Sequence, residues 1–178
     1  FGQSDEGAVT VHHGSPTGLG LLPIWAGESN QAGAYLGICA ASAGDVNGDG
    51  FADLLVSFVR DFGGAYLILG ASTPKANCTL DFCTDEGYRG STSSNTGGRI
   101  AGVGDVNADG YADILIGACN YDEGDGTGRA SLVLGHSNPS SVKTLSDDAD
   151  AHYVGMVAAE QACVTQAGSG DVNGDGLS

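Results

Sequence analysis

The sequence predicts an all-β chain of short four-stranded sheets, and three observations predict it. An acidic loop recurs almost unchanged as Asp45-Val46-Asn47-Gly48-Asp49-Gly50, Asp105-Val106-Asn107-Ala108-Asp109-Gly110 and Asp171-Val172-Asn173-Gly174-Asp175-Gly176, each behind a glycine, with starts 60 and then 66 residues apart. Each complete loop runs into a short apolar segment of strand length, Asp53-Leu54-Leu55-Val56-Ser57-Phe58-Val59 and Asp113-Ile114-Leu115-Ile116-Gly117. No stretch shows helical periodicity. Strand, loop and strand at this period, broken by Gly-rich turns, is the pattern of β-propeller blades, here about three of them with four short antiparallel strands each.

Taken in order, the chain opens with Phe1-Gly2 and then Gly7-Ala8-Val9-Thr10-Val11-His12-His13-Gly14, which matches the late part of a repeat, so residues 1–14 read as the end of one blade. Residues 15–75 hold the first loop repeat. Within it, Pro23-Ile24-Trp25-Ala26 is the candidate outermost strand, and Trp25 reads as an anchor packed between blades rather than a ligand platform. The small residues of Gly37-Ile38-Cys39-Ala40-Ala41-Ser42-Ala43-Gly44 suit an inner strand close to its neighbours near a crowded axis. After the loop and its strand come Phe62-Gly63-Gly64-Ala65-Tyr66-Leu67-Ile68-Leu69-Gly70. Residues 76–140 repeat the scheme, ending on Gly126-Thr127-Gly128-Arg129-Ala130-Ser131-Leu132-Val133-Leu134-Gly135, and 141–178 begin a third repeat.

The loops carry the chemistry. Calcium takes six to eight oxygens, and alternating positions of a tight turn bring oxygens to one point around a glycine. The expected donors in the first loop are Asp45, Asn47 and Asp49, the Phe51 carbonyl and Asp53 at the ninth position. Those in the second are Asp105, Asn107, Asp109, the Tyr111 carbonyl and Asp113. The third offers Asp171, Asn173 and Asp175, with the Leu177 carbonyl to follow. Its ninth position falls at 179, past the 178 residues present, so weak binding is expected there. A lone Asx-rich turn would explain one such loop but not three in register. An EF-hand is excluded, because its twelfth position needs a bidentate Glu and here is Val56 or Ile116, and because the flanks are strands.

The spacing of Phe-Gly and Gly-Ala, together with Gly-Asp-Val-Asn-Gly-Asp-Gly-Phe-Ala-Asp-Leu-Leu-Val at 44–56, resembles the FG-GAP repeat of integrin α-subunit β-propellers and their bacterial and fungal relatives. The resemblance covers nearly the whole chain. It implies a propeller of usually seven blades, with calcium loops on the face opposite the usual ligand-binding face. Two departures touch individual turns: Asn120-Tyr121-Asp122-Glu123-Gly124 stands where the second Phe-Gly pair is expected, and Ser57 replaces a glycine after the first strand.

Length, charge and cysteines set bounds. A chain of 178 residues suffices for one modest domain but not for a closed ring of four to eight blades. Phe1 aligns with Phe62, so both ends belong to the same blade element. The expectation is therefore a piece of a larger protein, its remaining blades coming from a longer chain or from other copies. A net charge of −16 disfavours nucleic acid and anionic membranes as partners, and no apolar run is long enough for membrane insertion. Five cysteines and a need for calcium suit an extracellular or cell-surface setting. Cys78 and Cys83 form the most plausible disulfide, the odd count leaves a thiol over, and Cys39 and Cys163 read as buried apolar residues on inner strands. Asn77-Cys78-Thr79 is a glycosylation sequon.

No nucleophile elbow, zinc spacing or phosphate loop is present, which argues against an enzyme. His12 and His13 are adjacent on a strand and point to opposite faces, so they read as surface residues. His136 and His152 are isolated in sequence. Asp122, Glu123 and Asp125 crowd one turn and read as a solvated loop. The leading function is a calcium-stabilised binding or adhesion module for a protein or glycan ligand. The alternatives are a lectin with sugars between blades, or the propeller part of a secreted polysaccharide lyase or phospholipase. Open blade flanks predict that the polypeptide alone is not a stable monomer; light scattering that finds a cooperatively unfolding monomer contradicts this.

Overall fold

The computed structural model describes residues 4–73, 75–79, 84–90, 95–120, 126–157, 162–163, 166–168 and 170. In chain order its strands are β1 (Ala8–Val11), β2 (Gly14–Ser15), β3 (Gly18–Leu19), β4 (Trp25–Glu28), β5 (Ala40–Gly44), β6 (Asp53–Phe58), β7 (Gly64–Ile68), β8 (Cys78–Thr79), β9 (Glu86–Arg89), β10 (Thr96–Gly104), β11 (Asp113–Ala118), β12 (Arg129–Val133), β13 (Val142–Thr144) and β14 (Ala151–Val154). Among the described residues a short helix, α1 (Leu145–Asp148), lies before β14 and buries Leu145. The fold is all-β. The middle blade is β5-β6-β7-β9 and the next is β10-β11-β12-β14, each antiparallel throughout, while β1 and β4 form the outer half of a preceding one.

Alternation along the middle strands explains why their sequence is almost continuously apolar. Side chains on a strand point to opposite faces in turn. Leu55, Ala65 and Leu67 join Ile100, Ile114, Ile116 and Val133 in a core against the following sheet. Val56, Phe58, Tyr66 and Ile68 face the other way, onto Trp25 and Leu36 of the preceding one. A sheet packed on both faces needs apolar residues at every position, so the helix-free apolar run is the imprint of stacking. Leu55, Leu67, Ile114 and Ile116 are all fully buried, each contributing about 1.5–3 kcal/mol. Phe58 and Tyr66 stack with ring centres 4.6 Å apart.

One feature departs from the four-stranded expectation. The middle sheet has a fifth strand, β13, which runs parallel to β9, and β8 likewise lies parallel on β4. Each comes from the long connection after the third strand of the next repeat, so the chain reaches back to cover its predecessor's open edge. Behind this return lies Glu86, whose side chain is fully buried. Lys143 Nζ on β13 stands 3.0 Å from its Oε1, and His136 Nε2 lies 3.4 Å from its Oε2. Burial, and then the negative charge of Glu86, push the Tyr88 phenol well above its ordinary range. His136, isolated in sequence, is thus part of a cluster drawn from three segments.

Cysteine usage also differs from the sequence reading. Cys163 is not a free buried residue; it is bonded to Cys119, 44 residues away, with Cα atoms 5.1 Å apart. Closing a loop of that length stabilises by about 4 kcal/mol in the chain-entropy picture. Two short segments far apart in sequence gave no local signal of this pairing. Cys78 is disulfide-bonded as well, but its expected partner Cys83 lies outside the described residues. Cys39 is a free thiol, half-buried, donating to the Gly98 carbonyl.

A buried carboxylate stripped of its cation is costly, whereas an apolar replacement of both partners is not. Lys143→Met is expected to destabilise at the lower end of about 3–5 kcal/mol, since His136 remains. Adding Glu86→Leu should recover most of that loss in urea unfolding.

Candidate metal centre

Each complete loop is set up by the strand that leads into it. The β5–β6 register shifts between Ser42 and Gly44, and the β10–β11 register shifts between Gly102 and Gly104, at equivalent places. Such bulges turn the chain sharply. The loop that follows is wound on its own side chains. Asp45 accepts the N–H of Asp49 on Oδ1 at 3.0 Å and of Gly50 on Oδ2 at 2.8 Å. Asn47 Oδ1 accepts the same Asp49 N–H at 3.1 Å, while its Nδ2 donates to Asp49 Oδ2 at 2.9 Å. Asp49 Oδ1 then accepts the Phe51 N–H at 2.9 Å. Asp105, Asn107 and Asp109 repeat all five bonds to within 0.1 Å, ending on the Tyr111 N–H.

The ninth-position aspartates lie beneath the loops. Asp53 and Asp113 are 3% and 0% exposed, and burial must be offset by hydrogen bonds. Asp53 Oδ2 accepts from Val46 N–H at 2.7 Å and Oδ1 from Gly70 N–H at 2.8 Å. Asp113 does the same with Val106 and Gly135, at 2.8 Å each. Each therefore ties the start of the loop to the end of the third strand. Gly70 must be glycine for this approach, because a Cβ there would lie 2.4 Å from the Ala52 carbonyl oxygen. Burial pushes both carboxyls up from their ordinary value; the two backbone N–H bonds pull them back, and the two loop carboxylates add to the rise.

The two loops also touch. Ala112 N–H donates to the Asp45 carbonyl at 2.9 Å, and His136 N–H to the Val46 carbonyl at 3.0 Å. Val46 is buried in the core between the sheets. The first loop is thereby docked onto the turn and third-strand end of the next blade.

Of the expected donors, Asp45, Asn47, Asp49, Phe51 and Asp53 are brought into one loop, and Asp105, Asn107, Asp109, Tyr111 and Asp113 into the other. Among the described residues no group of three or more His, Cys, Asp or Glu is gathered closely enough to hold a metal on its own. Each loop's complement includes an asparagine oxygen and a main-chain carbonyl, and its carboxylates are engaged with backbone N–H groups. The donor set is nonetheless all oxygen and richly anionic, which suits a hard cation. Asp171, Asn173, Asp175 and Leu177 lie outside the described residues, as do Asp122, Glu123 and Asp125. His12 Nδ1 donates to the Gly20 carbonyl and His152 pairs with Ser131, so neither is placed as a ligand. Trp25 is buried between sheets.

A family model, the FG-GAP repeat, matches residues 40–68 and 97–133. The chain carries FG-GAP repeats. The matched segments are the three inner strands of each complete blade together with its loop, and they leave out the fourth strand. Among relatives, the chain is 30% identical over 164 residues to integrin alpha-E of Mus musculus, covering 84% of this chain and 13% of that protein. It is 39% identical over 101 residues to integrin alpha-3 of Cricetulus griseus, 51% and 9% respectively. To integrin alpha-PS2 of Drosophila melanogaster it is 34% identical over 121 residues, 61% and 8%. The FG-GAP chain thus spans about a tenth of the length of these relatives, all integrin α subunits.

The FG-GAP loops differ at one strained position. Gly48 has φ +73°, and its counterpart Ala108 holds φ 60°. A non-glycine residue there costs about 1–2 kcal/mol, partly offset by glycine's greater freedom when unfolded. Ala108→Gly should therefore raise stability by about 1 kcal/mol. Gly48→Ala should lower it by at least as much, since the new Cβ would sit 2.9 Å from the Tyr111 ring. Thermal unfolding of the two variants checks both signs.

Proposed function

We propose that this chain is part of a calcium-stabilised propeller that acts as an adhesion-type binding module at the cell surface or outside the cell, with no catalytic role. The observation that carries the reading is the near-identity of the two loops. Ten side-chain hydrogen bonds shape two all-oxygen sets in the same way, on equivalent strands of neighbouring blades. Asp45, Asn47, Asp49, the Phe51 carbonyl and Asp53 would hold one Ca2+. Asp105, Asn107, Asp109, the Tyr111 carbonyl and Asp113 would hold another, and Asp171, Asn173 and Asp175 belong to a third loop of the same sequence. The ion supplies charge neutralisation for carboxylates that otherwise repel. The chain's own residues do the rest: Asn47 orients Asp49, Asp53 anchors the loop to its blade, and the Asp45 and Val46 carbonyls anchor it to the next.

Relationship to integrin α subunits supports a protein ligand, met on the face away from the metal loops. Further blades, from a longer chain or from other copies, would cover the sheet faces left open. The apolar cavity between Val11, Trp25, Phe51 and Ile68 supports this. It lies against Phe51-Ala52 and Gly70-Ala71, the counterparts of Tyr111-Ala112 and Gly135-His136, on which the first loop docks.

Extracellular modules of this kind bind calcium at about 10⁻⁴–10⁻³ M, so 1 mM calcium stabilises by about 0.4–1.4 kcal/mol per site. Chelation is therefore expected to lower the melting temperature by several degrees. Asp45→Asn with Asp49→Asn should remove one calorimetric site and leave the second. A melting curve indifferent to both calcium and chelator defeats the reading.

A further inference from the structure

The chain carries only six Lys and Arg against 22 Asp and Glu, yet two of its four arginines line one small cavity. Arg60 and Arg89 border it with Ser29, Gln31, Ala34, Phe58, Asp61 and Tyr66. The cavity lies at the turn between β6 and β7, the end of the middle blade away from its metal loop. Phe58 and Tyr66, stacked on each other, form its apolar side.

Repetition within the chain shows that the fold does not require arginine at either place. Phe58 pairs with Gly64, and Gly64 with Arg89. In the next blade the same ladder is Ala118, Arg129 and Val154. The counterpart of Arg89 is thus Val154, and that of Arg60, two residues past Phe58, is Asn120. In the preceding blade, Gly7 bridges Leu36 as Gly63 bridges Thr96, and Ala8 pairs with Glu28. Glu28 therefore stands where Arg89 does. Apolar, acidic and basic side chains all occupy this position, so no common packing role selects the guanidinium.

Nor, among the described residues, are the two charges neutralised. Arg60 Nε is 3.9 Å from an Asp61 carboxylate oxygen, with side chains 44% and 68% exposed, a contact contributing little in water. Among the described residues no carboxylate lies within ion-pair distance of Arg89. The Ser29 hydroxyl is already engaged, donating to the Glu6 carbonyl at 2.7 Å. The cavity thus offers two guanidiniums against one loosely held carboxylate beside an aromatic wall.

The geometry points to a subsite for a single carboxylate side chain of a protein ligand, gripped by Arg60 and Arg89. Guanidinium forks match carboxylates in shape, with charge-assisted bonds about twice as strong as neutral ones. The volume, about 230 Å³, is below the roughly 300–1,000 Å³ of sites that enclose a whole small ligand, so it fits one side chain and not an oligosaccharide. This deepens the binding-module reading and rests on it for the identity of the face that meets a partner.

The test uses the full chain labelled with ¹⁵N, following the arginine Nε–H signals as Ac-Gly-Asp-Gly-NH2 is added. Saturable shifts of Arg60 and Arg89 are expected, with none from Ac-Gly-Asn-Gly-NH2. Arg60→Gln or Arg89→Gln alone should weaken binding about two- to five-fold, and the pair should abolish it with the melting temperature unchanged. Absence of shift at tens of millimolar peptide overturns the inference. So does equal or tighter binding of inorganic sulfate or glucuronate, which would mark a general anion site. Failure here with calcium stabilisation intact removes only this subsite; loss of calcium stabilisation with the peptide still bound removes only the metal reading.

Discussion

The structure depends on one buried contact made twice: the ninth-position aspartate bridging two backbone N–H groups. Asp53 holds Val46 at the head of its loop and Gly70 at the end of the third strand. It begins β6, so one carboxylate joins three strands of the blade at a point where their ladder has ended. Leaving either N–H buried and unpaired would cost on the order of 1–3 kcal/mol. The need for that contact also fixes glycine at 70 and 135, where any side chain would drive the chain away from the carboxylate. Strand, loop and close-packed glycine in the repeat are consequences of a single acceptor placed under a turn.

The same contact explains how a charge is carried beside the core, its two N–H bonds offsetting part of the cost of burial. The carboxylates of Asp45 and Asp49 lie outside, wound into the loop by their own backbone, while Asp53 lies inside with both oxygens engaged. The loop is thus shaped by its own side-chain hydrogen bonds, the kind of pre-organisation that lowers the ordering cost of binding a ligand. Because the Asp45 and Val46 carbonyls also receive N–H groups from the next blade, stiffening the loop stiffens the joint between sheets. Loop winding and blade packing act on the same few residues.

The sequence made much of this legible, for a physical reason. Period-2 alternation buried on both sides produces the apolar runs 53–59 and 113–117, and the Asx-turn chemistry is written in consecutive residues. Loop, inner strands and blade order were therefore readable from local pattern. What was not readable joins distant segments. The return strands β8 and β13 are two and three residues long and carry no periodicity. Glu86, Lys143 and His136 meet from three places and have no motif. Cys119 and Cys163 are 44 residues apart, and nothing in the spacing distinguishes them from other pairings. Ser57 stands where glycine was expected, and the blade accommodates it by bonding its hydroxyl to Cys39 N–H at 3.0 Å.

The two ends of each blade obey different constraints, and this difference separates fold from function. At the acidic-loop end, the residues whose side chains make the loop's hydrogen bonds are the same in both repeats, and the bond lengths agree to a tenth of an ångström. At the far end the repeats diverge: Arg60 against Asn120, Arg89 against Val154 and Glu28. Where geometry demands a residue, repeats within one chain converge on it. Where it demands none, a charged pair facing one cavity needs another cause, and in a chain of net charge −16 a cationic pocket is the least expected product of chance. The internal repeats thus serve as their own control, dividing residues that hold the blade from those free to meet a partner.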